Sequence, residues 1–222
     1  MIMEKSRIIR VTGKGNLKVH PDMTRISIEL TKIFQEYSET LERASQDTEN
    51  LRGLLKPFGF NYSDLKTVHF SIDTETESYE EDGIYKRRFI GYRFTHELKV
   101  EFDSDNQRLG KILYALANSP LNPEFHLSYT VKDSEAVKNK LLGKAVKDAK
   151  AKAEILTSAA EVTLGEILSI DYSWNKISFE THPIEFEEKR MLCEAPGASY
   201  DLNIEPDDIQ ASDTVTVIWE FK

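Results

Sequence analysis

The chain of 222 residues is 40% hydrophobic and 30% charged, an ordinary globular composition, long enough for a substantial core in one sizeable domain or two small ones. A formal charge of −9 has the wrong sign for a phosphate-backbone partner, so no nucleic-acid ligand is expected. The single cysteine, Cys193, rules out an intrachain disulfide and a cysteine-rich zinc site, and no stretch is apolar for long enough to span a membrane as a helix.

The opening residues contain no apolar run of signal-peptide length. The chain as written is therefore expected to be cytoplasmic, and periplasmic or exported if a leader has been removed. Ile9, Val11, Leu17 and Val19 share one phase of a strand, with Gly13 and Gly15 between them. His20-Pro21-Asp22 reads as a turn, and Ile26, Ile28 and Leu30 as the return strand, so the pair is predicted to be a hairpin. Ser38 is a good N-cap with Glu39 in the first turn. Leu41, Ala44, Thr48, Leu51, Leu55 and Phe58 then form one apolar helical stripe, ended by Pro57 and Gly59.

Residues 65–102 read as one long β-hairpin. Val68, Phe70 and Ile72 alternate going in; Ile90, Tyr92, Phe94, Leu98, Val100 and Phe102 alternate coming out. A two-residue Asp82-Gly83 turn would set Ile72 against Arg93 and Phe70 against Thr95, mixing the faces. A three-residue Glu81-Asp82-Gly83 loop sets Phe70 against Phe94, Ile72 against Tyr92, Val68 against His96, Ser71 against Arg93 and Glu77 against Arg87. The longer loop is the predicted one, and it points His69 and His96 to opposite faces. Arms of this length suggest a sheet that extends or is joined by another chain.

Ser104 or Asp105 starts a shorter helix with Leu109, Ile112, Leu113 and Leu116 inward, broken by Ser119-Pro120-Leu121-Asn122-Pro123. Phe125, Leu127, Tyr129 and Val131 alternate as a strand. Asp133 opens the longest helix, to about Ala160 or roughly 40 Å, with a small inward stripe of Leu142, Ala145, Ala149, Ala153, Leu156 and Ala160. That alanine-lined helix is expected to roof the long hairpin. Leu168, Ile170, Tyr172 and Trp174 form a further strand, and Val215, Val217, Trp219 and Phe221 the last. Between these strands, residues 175–213 hold ten acidic residues against Lys176, Lys189 and Arg190. Antiparallel strands in long hairpins with three helices on the sheet predict an α+β fold. The chain is expected to be a single domain over 1–222, divisible at 103/104, with 175–213 as an acidic excursion.

Little in the chain spells chemistry. Gly13-Lys14-Gly15 lacks a third glycine and a following helix, so close backbone packing or a bulge is expected there and not a phosphate loop. His20, His69, His96, His126 and His182 are scattered without ligand spacing. Glu185, Glu187, Glu188, Asp207 and Asp208 lack a calcium-loop spacing and read as solvated surface. Lys140, Lys144 and Lys147 read as a solvated helix stripe, or as a face for the acidic segment of a neighbouring subunit. Cys193 has no nucleophile motif around it. No catalytic residue, metal ligand or cofactor is assigned.

Several fragments together resemble the SIMPL domain, found in bacterial oxidative-stress defence proteins and in an outer-surface antigen group. They are Val19-His20-Pro21-Asp22, Ile90-Gly91-Tyr92-Arg93-Phe94, the helix from Lys144-Ala145 to Ala153, Leu164-Gly165-Glu166-Ile167, and Glu205-Pro206-Asp207-Asp208-Ile209, in the family's order. The resemblance implies an α+β fold, no known cofactor, no assigned catalytic residues and self-association into rings or channel-like oligomers. It also implies an export signal, which the opening residues do not show, and a glycine after the long helix, where this chain has Ala160-Glu161. The leading expectation is a non-enzymatic homo-oligomer of envelope or oxidative-stress protection. The alternatives are a hydrolase or metal-dependent enzyme with a site near residues 175–213, and an interaction module whose acidic segment docks a basic partner.

Overall fold

The computed structural model describes residues 7–172, 177–185 and 204–222, and the strands among them belong to two sheets. Strand β1 (Ile8–Val19) pairs along its length with β8 (Ile209–Phe221), Ile8 opposite Glu220 and Val19 opposite Ile209. Strand β2 (Met23–Phe34) pairs instead with β4 (Ile84–Asp103). The expected β1–β2 hairpin is therefore not formed. Nearness in sequence loses to the demands of the two inward faces. Val11, Gly13 and Gly15 of β1 suit a helix lying against the backbone, whereas Ile26, Ile28 and Leu30 of β2 suit a bulky core.

The chain divides into two units, Met1–Pro21 with Thr130–Thr181 and Pro206–Lys222, and Asp22–Tyr129 with His182–Glu205. In the first, β6 (Leu164–Tyr172) completes a sheet of order β1-β8-β6, and helix α3 (Ser134–Ala159) packs on β1 and β8. Asp133 caps α3 by accepting from the Ala136 N–H at 2.8 Å. The buried row is Val137, Leu141, Ala145, Ala149, Ala153 and Thr157, all at a spacing of four. Leu142 is only half-buried and Leu156 and Ala160 are exposed, so the expected stripe holds at Ala145, Ala149 and Ala153 and misses at both ends. The alanine-lined helix roofs this sheet, not the long hairpin. The glycines show why: a Cβ at Gly13 would strike the backbone of Ala145 and Ala149, and one at Gly15 the backbone of Leu141. Close packing at Gly13-Lys14-Gly15 is thus observed.

Helix α3 ends in a left-handed cap without glycine. Glu161 takes φ 55°, the Val162 N–H reaches the Thr157 carbonyl at 3.0 Å, and the Glu161 N–H reaches the Ser158 carbonyl at 3.1 Å. Strand β6 is described as far as Tyr172; Trp174, expected to belong to it, lies outside the described residues.

In the second unit the sheet order is β3-β4-β2-β5-β7, with β3 at Lys66–Glu81, β5 at Glu124–Thr130 and β7 at Ile184–Glu185. Helix α1 (Tyr37–Leu55) packs on β2 and β4. Its N-cap is Glu36, without a side-chain bond, and the expected cap Ser38 lies inside the first turn. Ala44, Thr48, Leu51 and Leu55 face inward as expected, but Leu41 is exposed. Asp47 takes an inward place because the Lys32 ammonium on β2 meets its carboxylate at 2.7 Å. A 3-10 turn, Lys56–Phe58, and Gly59 at φ 84° end the helix. Helix α2 (Asn106–Ala117) is capped by Asp105 and buries Leu109, Ile112, Leu113 and Leu116. These join Ile26, Ile28, Leu30, Phe94, Leu98, Val100, Leu127 and Tyr129 in the larger core. The α+β expectation is met, in two sheets.

Candidate interaction surface

The β3–β4 hairpin is two structures in series. Up to Tyr92 it is part of the sheet, because Phe34 at the end of β2 lies opposite Tyr92. Beyond Gly91, among the described residues, β3 and β4 pair only with each other, as far as Glu81 opposite Ile84. The turn is the two-residue Asp82-Gly83, with φ 54° and 74°. Positive φ at both positions matches the right-handed strand twist, and Asp-Gly is among the best sequences for it. The predicted three-residue loop is corrected accordingly.

A bulge then repairs the phase that the short turn disturbs. Glu75 lies opposite Gly91 and Thr76 opposite Phe89, so Ile90 is the extra residue. Gly91 takes φ 147°, where a Cβ would strike the Phe34 carbonyl, and the Gln35 amide donates to the Ile90 carbonyl at 2.6 Å. Below the bulge the pairs are Ile72–Phe94 and Phe70–His96, each two residues from the expected register. The expected common face of Phe70, Ile72, Tyr92 and Phe94 survives, since a shift of two preserves facing. Val68 does not follow: a second bulge turns it out, 59% exposed.

The projecting part is charge-split. Its β3 arm carries Glu75, Glu77, Glu80 and Glu81, and its β4 arm Lys86, Arg87 and Arg88, with Asp73 and Arg93 facing each other just below, where β2 still pairs. Across the ribbon Glu77 meets Arg88 at 2.6 Å, Glu81 meets Lys86 at 2.6 Å and Glu75 meets Arg93 at 2.9 Å. Glu77 therefore pairs with Arg88 and not with Arg87. Apolar side chains line the same stretch in water: Tyr85 is 79% exposed, Ile84 61% and Phe89 48%. At its root Phe89 and Tyr37 each meet Tyr92 edge-on, with ring centroids 5.3 and 5.5 Å apart. The ribbon is thus anchored at one end and open along its length.

The titratable residues singled out by type are dispersed. His69 and His96 face opposite ways, as expected. His96 is buried, its Nδ1 3.0 Å from Thr48 Oγ1 and its Nε2 2.9 Å from Thr67 Oγ1. Thr48 donates its own hydroxyl to the Ala44 carbonyl, which leaves Nδ1–H as donor to Thr48 and Nε2 as acceptor from Thr67. Burial, then the nearby Arg52 charge, lowers the His96 pKa. His20 lies 3.5 Å from Asp208, and His126 and His182 are exposed. Among the described residues no three His, Cys, Asp or Glu side chains converge on a metal position. Asp207 and Asp208 are exposed, while Glu187, Glu188 and Cys193 lie outside the described residues. Lys140, Lys144 and Lys147 are exposed, and Lys144 reaches a backbone carbonyl of β1. Sequence reasoning missed a groove of about 560 Å³ beside the end of α1, lined by Arg52, Lys56, Phe60, Asn61 and Tyr62 among others. Arg52 there stacks on Tyr62 at 3.8 Å and pairs with Glu49. No described helix is long and apolar enough to cross a membrane.

A family model described as SIMPL, protein of unknown function (DUF541), matches residues 9–219. The uncharacterized protein YggE of Edwardsiella ictaluri is 24% identical over 188 residues, 85% of this chain and 74% of that protein. The 26 kDa periplasmic immunogenic proteins of Brucella melitensis and Brucella abortus are each 25% identical over 219 residues, 96% of this chain and 84% of theirs.

Proposed function

Because the chain belongs to the SIMPL family, we propose that it is a non-enzymatic protein of envelope or oxidative-stress protection, working as an assembly of its own copies joined through the β3–β4 ribbon. The carrying observation is the charge-split projection: an acidic β3 arm, a basic β4 arm and exposed Tyr79, Ile84, Tyr85 and Phe89 on one stem. Long exposed edges with apolar side chains are sites of association unless they are covered. Unlike charges on the two arms favour a head-to-tail contact, the acidic arm of one copy beside the basic arm of the next. Such a heterologous contact closes into a ring when its rotation permits. The periplasmic naming of the Brucella relatives supports a periplasmic place for this chain.

Light scattering tests the reading on the parent and on a triple variant, Tyr79→Ser, Ile84→Thr and Tyr85→Ser, all at exposed positions. The parent is expected well above its monomer mass of 25.5 kDa, and the variant at that mass. A variant that assembles like the parent would remove the ribbon as the contact.

A further inference from the structure

Both outer strands of the β1-β8-β6 sheet have a strand partner on one side only among the described residues, yet they are treated differently. Along β1, backbone groups of alternate residues point away from β8. At three successive residues of this kind, Thr12, Lys14 and Asn16, one backbone group is taken by a side chain of α3. The Lys14 N–H donates to Asp148 Oδ2 at 2.7 Å, Lys144 Nζ donates to the Asn16 carbonyl at 3.2 Å, and Lys152 Nζ donates to the Thr12 carbonyl at 3.4 Å.

The match is one of spacing. Four residues of helix advance about 6.0 Å and two residues of strand about 6.8 Å, so a helix row at i, i+4, i+8 keeps step with alternate strand residues. Lys144, Asp148 and Lys152 each precede a member of the buried row Ala145, Ala149 and Ala153, which places them on one flank of the helix. Gly13 and Gly15 bring that flank within reach by letting the helix backbone touch the strand. Lys152 also binds Asp148 at 2.7 Å, and that bond and the Lys14 amide hold the Asp148 carboxyl below the usual carboxylate range.

We propose that the Lys144–Asp148–Lys152 row is a latch that closes the β1 edge to strand addition, and that the strand it keeps out is β6 of a second copy. Two features of β6 fit it to that edge. Arg10, Lys14 and Lys18 stand exposed on β1, and Glu166 and Asp171 stand exposed on β6, so the two edges carry opposite charge. Ile167, Ile170 and Tyr172 lie opposite the buried Trp219, Val217 and Val215 but remain 40–52% exposed, an apolar surface that an added strand would extend. Joining β1 of one copy to β6 of the next is a heterologous contact that repeats from copy to copy, giving a ring or an open chain of molecules as its rotation dictates. Blocking one of two complementary edges is how a sheet avoids it. This inference is independent of the ribbon.

The test removes the latch in the full chain with Lys144→Ala, Asp148→Ala and Lys152→Ala, exposed or half-buried helix positions where alanine is a strong helix former. Far-ultraviolet dichroism checks the fold, and light scattering compares mass with the parent across a dilution series. The latch variant is expected to rise with concentration to about twice the parent's mass or more, as each copy adds one edge. Adding Glu166→Lys and Asp171→Lys is expected to return it to the parent's mass. Asp148→Ala alone is expected to change mass in the same direction and to speed hydrogen exchange at the Lys14 amide, which keeps the test usable if the triple variant misfolds. A folded latch variant with the parent's mass at every concentration overturns the proposal. So does growth that ignores the change at β6.

Discussion

Replacing Gly13 by alanine separates two opposed effects by sign. In a strand, glycine costs about 0.5–1 kcal/mol relative to alanine through chain entropy, so Gly13→Ala on an open face would stabilise by that amount. Here the new methyl would lie 2.8 Å from Ala149 Cβ and closer still to the Ala145 carbonyl and the Ala149 amide. The last two are backbone of the middle of α3, so no rotamer change relieves them. The helix must lift away, loosening Val11, Ala145, Ala149, Ala153, Val217 and Trp219 together. Overpacking of this kind costs about 1–3 kcal/mol, and the rigid neighbours put this site at the upper end. The expected net loss is about 2–2.5 kcal/mol, or about 4–10 °C in melting temperature for a chain of this size. Urea unfolding followed by tryptophan fluorescence reads it, since Trp219 lies in that core. Gly143→Ala, on α3 with nothing within 4 Å of its added methyl, is the control and should gain up to about 1 kcal/mol. If Gly13→Ala is as stable as the parent or more so, α3 does not rest on β1.

Other consequences are as direct. With the His96 pKa lowered by burial, the unfolded chain takes up a proton before the folded one as pH falls below about 6.5. Stability should then drop on acidification by no more than about 1.4 kcal/mol per pH unit from this group, and His96→Gln should flatten the urea midpoint between pH 7.5 and 5.5 (values set by the imidazole range); an unchanged slope removes His96 as the source. Glu161 occupies a left-handed position that glycine takes without penalty, so Glu161→Gly should raise the melting temperature, by roughly 1 kcal/mol of stability. A lower melting temperature would mean that the Glu161 side chain contributes more than its backbone strain costs.

Where alternation or helical spacing alone decides an element, the sequence is legible. The arms of the long hairpin, the strand through Val215, Val217 and Trp219, the Asp105 and Asp133 caps and the inward face of α2 are all of that kind. Pairing is harder, because it depends on what covers each face. The strand through Val11 and the strand through Ile28 look like a hairpin until the glycines of the first are read as a seat for α3. Register failed for a similar reason. Parity correctly demanded that Phe70, Ile72, Tyr92 and Phe94 share a face, but a short turn plus a bulge at Ile90 satisfies parity as well as a longer loop does. The Asp-Gly pair and the Gly91 next to Ile90 were the available signals. The ribbon's charge split is visible in the sequence once its arms are aligned; the point where β2 stops supporting it is not.

Sedimentation equilibrium of the unaltered protein bears most directly on the assembly reading. The expected result is a mass that is a multiple of 25.5 kDa at low salt and falls as salt screens the two arms. A species of 25.5 kDa at the highest concentration reached, in low salt and high alike, would contradict it.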